Sequence, residues 1–224
     1  MSSLPVVVSM GDPAGIGPEI VMRALRERRA LRDQLVVLGD VATLHRAARL
    51  SAPAGASDAA SDALVLAELA SLAHWPQRPP GAVALVQTGE ALPDLGWGVV
   101  SAAAGRAAAG AVRAGARAVL QGQARALVTA PLHKEALAAA GEPFPGHTEL
   151  LQALAAEHLG VPTTAVPVRM MLSAPRLATV LVSIHVALRD ALDAVRADAV
   201  LQTIRIAHAH FVRTGKAAPR IAVA

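Results

Sequence analysis

"LPVVVSMGDPAGIGPEIVMRALRERR", Leu4 to Arg29, is the stretch from which the architecture is read. Leu4–Val8 is a short aliphatic run of the kind that forms a buried strand. Pro18–Arg29 opens with a proline suited to the first turn of a helix and continues in good helix formers. Between them lie Gly11, Gly15 and Gly17. The order is therefore strand, glycine loop, helix start. Such a junction turns backbone N–H groups and the positive end of a helix dipole toward one point, where an anion can sit. The spacing G-x-x-x-G-x-G is not the G-x-G-x-x-G of a dinucleotide fold, and no Gly-Lys-Ser/Thr follows it, so it is not a P-loop. The pattern suits a ligand loop and a plain strand-to-helix turn equally well.

The rest of the chain repeats the alternation. "QLVVLGD" (Gln34–Asp40), "GAVALVQ" (Gly81–Gln87) and "ARALVTAP" (Ala124–Pro131) read as strands, and Val99–Leu120 as a helix of small residues that permits close packing. Helical stretches are expected on either side of "SAPAGASDAAS" (Ser51–Ser61), which reads as a low-complexity surface loop. "VRMMLSAPRLATVLVSIH" (Val168–His185) predicts a hairpin turning at Ser-Ala-Pro-Arg, and about Asp198–Arg213 a long helix. "APRIAVA" (Ala218–Ala224) opens a further aliphatic strand, which is expected to lead onward, so the sequence reads as truncated. This alternation is α/β, with a first domain over 1–126 and a second over 127–224.

Composition agrees with that class. The chain has 224 residues, 54% of them hydrophobic and only 2% aromatic, so its core is built from Ala, Val, Leu and Ile. Helices packed on a parallel sheet suit that chemistry, because strands buried on both faces are continuous aliphatic runs. The absence of cysteine excludes a disulfide scaffold and thiolate metal sites. No signal peptide is visible, and no apolar run is long enough for a membrane span, which predicts a soluble cytoplasmic protein without membrane partners. The net charge of +4 comes from arginines scattered along helices with almost no aromatic stacking partners, so nucleic acid is not an expected partner.

Chemistry concentrates in "VTAPLHKEALAAAGEPFPGHTELL", Val128–Leu151. A strand and proline turn lead to His133 and Lys134, then a short helix ended by Gly141, a proline-rich loop, and His147-Thr148-Glu149 opening another helix. Thr148 is expected to cap that helix, with His147 beside its first N–H groups. A Gly-His-Thr on a surface turn would read the same way. His185 follows an aliphatic strand, where open α/β sheets place ligands. His208 and His210 lie two apart on a helix and point apart, as poor metal partners do. His45, His74 and His158 stand in ordinary contexts.

Taken in order, "MGDPAGIGPE", "TAPLHKEAL", "FPGHTELL" and "IHVALRDALDAV" resemble the 4-hydroxythreonine-4-phosphate dehydrogenase family of pyridoxal phosphate biosynthesis, over the whole chain. The resemblance implies an isocitrate/isopropylmalate dehydrogenase-like fold of two domains about a central cleft, incomplete at the C-terminus, in a homodimer. It implies NAD or NADP, with a divalent metal (Zn, Mg or Co). The implied reaction oxidises 4-phosphohydroxy-L-threonine to a β-keto acid that decarboxylates to 3-amino-2-oxopropyl phosphate. His147 and Thr148 match the family's substrate-contacting pair, and His185 the first of three metal-binding histidines; the other two motifs would follow Ala224, and the chain alone is therefore expected to be inactive. Lys134 matches either added positive charge in the cleft or a solvated helix lysine. Close relatives acting on four-carbon sugar-acid phosphates or dihydrodiol carboxylates share these motifs. The reading from a different class is a non-catalytic anion-binding or dimerisation module.

Overall fold

The fold is that of a computed structural model, which describes residues 4–52, 64–184 and 186–224. The chain divides into two compact units, one ending at Val166 and the other spanning Pro167–Ala224.

The first unit is a five-stranded, wholly parallel sheet. Its strands are β1 (Val6–Ser9), β2 (Leu35–Gly39), β3 (Leu66–Leu69), β4 (Val83–Gln87) and β5 (Ala126–Thr129), in the spatial order β3-β4-β2-β1-β5. Helices cover both faces. On one face α1 (Gly17–Glu27) and α2 (Val41–Leu50) bury Met22, Leu25, Leu44 and Ala47 against Val8, Val37 and Leu85. On the other, α3 (Ala102–Leu120) and Trp75 meet Val7, Val36, Leu38 and Ala84. Alternate side chains of each central strand serve opposite cores, so the strand must be aliphatic throughout.

Each helix is bounded by local chemistry. Pro18 lies in the first turn of α1, and the buried Arg32 guanidinium donates to the Leu25 carbonyl (2.8 Å) in its last turn. Asp40 caps α2, accepting from the Thr43 N–H at 2.8 Å. Ser101 caps α3, accepting from the Ala104 N–H at 3.2 Å. Small residues let α3 approach its neighbours closely. A Cβ on Gly105 would lie 2.0 Å from the carbonyl oxygen of Ala136 in α4 (Lys134–Ala139), and one on Gly115 would lie 2.6 Å from Leu127. Val112 and Ala116 of α3 also bury Leu150 and Leu154 of α5 (His147–Leu159).

The second unit holds an antiparallel hairpin, β6 (Met171–Ser173) with β7 (Ala178–Val180), then α6 (Leu188–Ala194) and α7 (Ala197–Arg213). Arg169 donates to Thr203 Oγ1 of α7 at 2.8 Å.

Three expectations are corrected here. The stretch after Ser61 was expected to be helical, but Leu66–Leu69 is an edge strand and Leu72–Gln77 a 3-10 turn. Pairing with β4 overrides the helix propensity of Leu, Ala and Glu. "APRIAVA" forms no strand among the described residues, since no neighbour there offers it a ladder. The helix carrying His147 is capped by Gly146, and Thr148 is its second residue rather than its cap. The loop expected around Ser51–Ser61 lies mostly outside the described residues.

Candidate functional site

β1 connects to β2 on one side, while the chain later crosses to β5 on the other. The carboxyl ends of β1 and β5 thus form the point where strand order reverses, and the loops leaving it diverge. Open α/β sheets bind ligands in such crevices.

The Gly11–Gly17 loop leaves β1 here and interlocks with the corner leaving β5. The Ala130 N–H donates to the Ser9 carbonyl at 3.1 Å, and the Asp12 N–H to the Pro131 carbonyl at 2.9 Å. Gly11 has φ +75°, and a Cβ there would lie 2.2 Å from the Pro131 oxygen. Only glycine fits both the left-handed backbone and the contact. Within the loop, Asp12 is buried, and its Oδ1 accepts from the Ala14 N–H at 2.9 Å while its carbonyl accepts from the Gly15 N–H at 3.0 Å. Three loop N–H groups are therefore already engaged, and a carboxylate already stands among them. The loop is built as an interlocking turn and is poorly suited to cradle a phosphate.

His147 is the first residue of α5. Its ring is partly buried, and its Nε2 is enclosed with no hydrogen-bond partner among the described residues. Burial lowers its pKa below the ordinary 6.5, opposed by a hydrogen bond with the Ala130 backbone. The Ala130 N–H is spent on Ser9, which leaves the Ala130 carbonyl to face the ring. A ring that donates one N–H to a carbonyl keeps its other nitrogen as an acceptor. The enclosed Nε2 is thus a neutral acceptor without a partner among the described residues.

The loop before His147 is anchored from α3. Arg113 pairs with Glu142, both partly buried, and its guanidinium lies 6.0 Å from the Phe144 ring centroid. Thr148 is partly buried next to His147. His133 and Lys134 are exposed at the start of α4. His185 lies outside the described residues. His45 bonds Glu68 at 2.7 Å and His74 bonds Ser71 at 3.1 Å, as ordinary surface contacts do. Among the described residues, no three His, Cys, Asp or Glu side chains come together to hold a metal, so these residues alone do not make the implied metal site. Nor is any helix among them long and apolar enough to cross a membrane.

Sequence reasoning singled out His147 and Thr148 but missed Asp12, Arg113 and Glu142. Asp12 was in view as part of the glycine loop, while Arg113 and Glu142 are brought together only by helix packing.

Comparison with known proteins places these features in a family. Residues 31–224 match the family described as pyridoxal phosphate biosynthetic protein PdxA. The chain belongs to the PdxA family. It is 40% identical over 231 residues to a 4-hydroxythreonine-4-phosphate dehydrogenase of Beijerinckia indica, covering 98% of this chain and 60% of that protein. It is 37% identical over 225 residues to a D-threonate 4-phosphate dehydrogenase of Salmonella typhimurium, covering 100% of this chain and 64% of that protein. A crystal structure of 4-hydroxythreonine-4-phosphate dehydrogenase from Klebsiella pneumoniae superposes with a TM-score of 0.78 at 32% identity, over 97% of this chain and 61% of that one. This PdxA chain therefore spans about three fifths of the length of these relatives. Its fold class is the α/β class expected, of the isocitrate/isopropylmalate dehydrogenase-like kind that PdxA dehydrogenases share.

Proposed function

We propose that this PdxA protein, at the length of its relatives, oxidises 4-phosphohydroxy-L-threonine with NAD or NADP as hydride acceptor. The product β-keto acid loses carbon dioxide to give 3-amino-2-oxopropyl phosphate. The observation that carries the reading is the enclosed, unpartnered Nε2 of His147 at the strand-order reversal, within a chain of this family.

In this reading His147 accepts a hydrogen bond from a substrate hydroxyl or ammonium and orients it, with Thr148 beside it. The partly buried setting strengthens that contact by excluding water. Oxidation of a secondary alcohol sends a hydride to the nicotinamide and a proton to solvent or a base. His185 belongs to the reading as a metal ligand, with its partner ligands in the length not present here. The protein acts as a cytoplasmic homodimer.

A second reading, oxidation of D-threonate 4-phosphate, is favoured by the Salmonella relative. The two substrates differ at one carbon, which bears an ammonium in one and a hydroxyl in the other. A full-length protein incubated with each phosphorylated hydroxy acid, NAD(P) and a divalent metal decides between them by absorbance of reduced nicotinamide. Silence with all of them overturns both.

A further inference from the structure

The glycine loop after β1 has a task that a phosphate cradle would not require. It reaches His147 through one short chain of contacts. Gly11 leaves no space between itself and the Pro131 oxygen, and the Asp12 N–H is bonded to that same oxygen. A Cβ on Gly17 would lie 2.4 Å from the Met10 oxygen and 3.4 Å from the Ala130 Cβ, so the far end of the loop closes on the same corner. Ala130 is itself buried, held by its N–H to Ser9, and its remaining backbone group faces the His147 ring.

We propose that the Gly11–Gly17 loop is the positioning element of His147, seating the Ala130–Pro131 corner so that the imidazole is held by the Ala130 backbone with its Nε2 left unpartnered. Asp12 stiffens the loop by collecting the Ala14 and Gly15 N–H groups. A polar group that must meet a substrate atom tolerates little displacement, and an error of about 1 Å commonly costs on the order of a hundredfold in rate. The catalytic consequence rests on His147 being a substrate contact; the positioning does not.

The test is a histidine-¹⁵N titration of the 224-residue protein, alongside Gly11→Ala, Asp12→Ala and Gly122→Ala. Gly122 is the control. It shares the left-handed backbone (φ +70°) but has nothing within 4 Å of an added Cβ. Gly11→Ala should raise the His147 midpoint toward 6.5 as the ring loses its seat, Asp12→Ala should raise it less, and Gly122→Ala should leave it unchanged. Should Gly11→Ala fail to fold, Asp12→Ala against Gly122→Ala decides alone. A His147 midpoint unmoved in the folded loop variants, or moved equally by Gly122→Ala, overturns the proposal. In the full-length enzyme, Gly11→Ala should lower kcat/KM at least tenfold and Gly122→Ala should not. If His147→Ala leaves turnover intact while the titrations behave as stated, the substrate reading falls and the positioning stands.

Discussion

In the proposed reading one imidazole, that of His147, meets the substrate. In full-length enzyme, His147→Ala should lower kcat/KM on the order of a hundredfold, as removal of a positioned polar contact does. Steady-state kinetics checks this, and unchanged constants would leave His147 a structural residue. The same ring sets a pH limit. Its folded pKa lies below 6.5, so at pH 7 it is neutral and its acceptor is free. The acid limb of kcat/KM should therefore fall below pH 6.5, and His147→Gln should remove that limb. Stability has the same sign. The unfolded chain takes up the proton first as pH falls, so the contribution is complete above 6.5 and is lost as pH drops through the lower folded value. The sequence made this residue visible because a histidine after "PFPG" opens a helix. It could not show that the ring would bond the Ala130 backbone, which is brought to it only by the fold.

At the scale of elements, Asp40 illustrates how a strand end and a helix start are joined. Its carboxylate accepts from the Thr43 N–H and hydroxyl at 2.8 and 2.7 Å and from the Leu92 N–H at 3.1 Å. Burial alone would raise its pKa, yet the hydrogen bonds from Leu92, Thr43 and Gln87 together bring it below 3.8. Asp40→Ala should cost about 1–2 kcal/mol, as loss of a helix cap does. For a chain of this size that is a fall in Tm of about 2–8 °C by calorimetry. The wild-type advantage should fade as pH falls through the lowered Asp40 value, because only the ionised carboxylate accepts all these bonds. Arg113→Ala should release Glu142 and Phe144, and amide exchange over residues 142–150 should rise with little change in global stability. Aliphatic strands and the long helices were legible because their burial pattern is written in composition and period. β3 was not, because "LAEL" favours a helix in isolation and becomes a strand only beside β4. Thr148 misled in the same way: its type suits a cap, but the cap is Gly146, two residues earlier, and the backbone is already helical at His147.

For the whole molecule, the share of the relatives' length that is present sets the expected behaviour. The 224-residue chain should bind zinc or cobalt weakly and turn over no substrate, while a protein extended to the relatives' length should bind the metal tightly and turn substrate over. His185→Ala in the extended protein should remove metal binding again, as calorimetric titration would show. Tight stoichiometric binding by the short chain that survives His185→Ala would place the metal elsewhere.

The register of the sheet also orders events in time. β1 meets β2 across 29 residues of chain, whereas it meets β5 across 120. Closing the longer loop carries the larger entropic cost, and contacts so distant in sequence form late. A refolding chain, or one leaving the ribosome, should therefore hold its first strand half-paired until residue 126 arrives. Pulse-labelled exchange should protect the Met10 amide, bonded to Leu38, before the Ala130 amide, bonded to Ser9. The crevice that holds His147 is then the last part of the sheet to exist, and until it closes, the unpaired edge of β1 is the surface on which misfolding would begin.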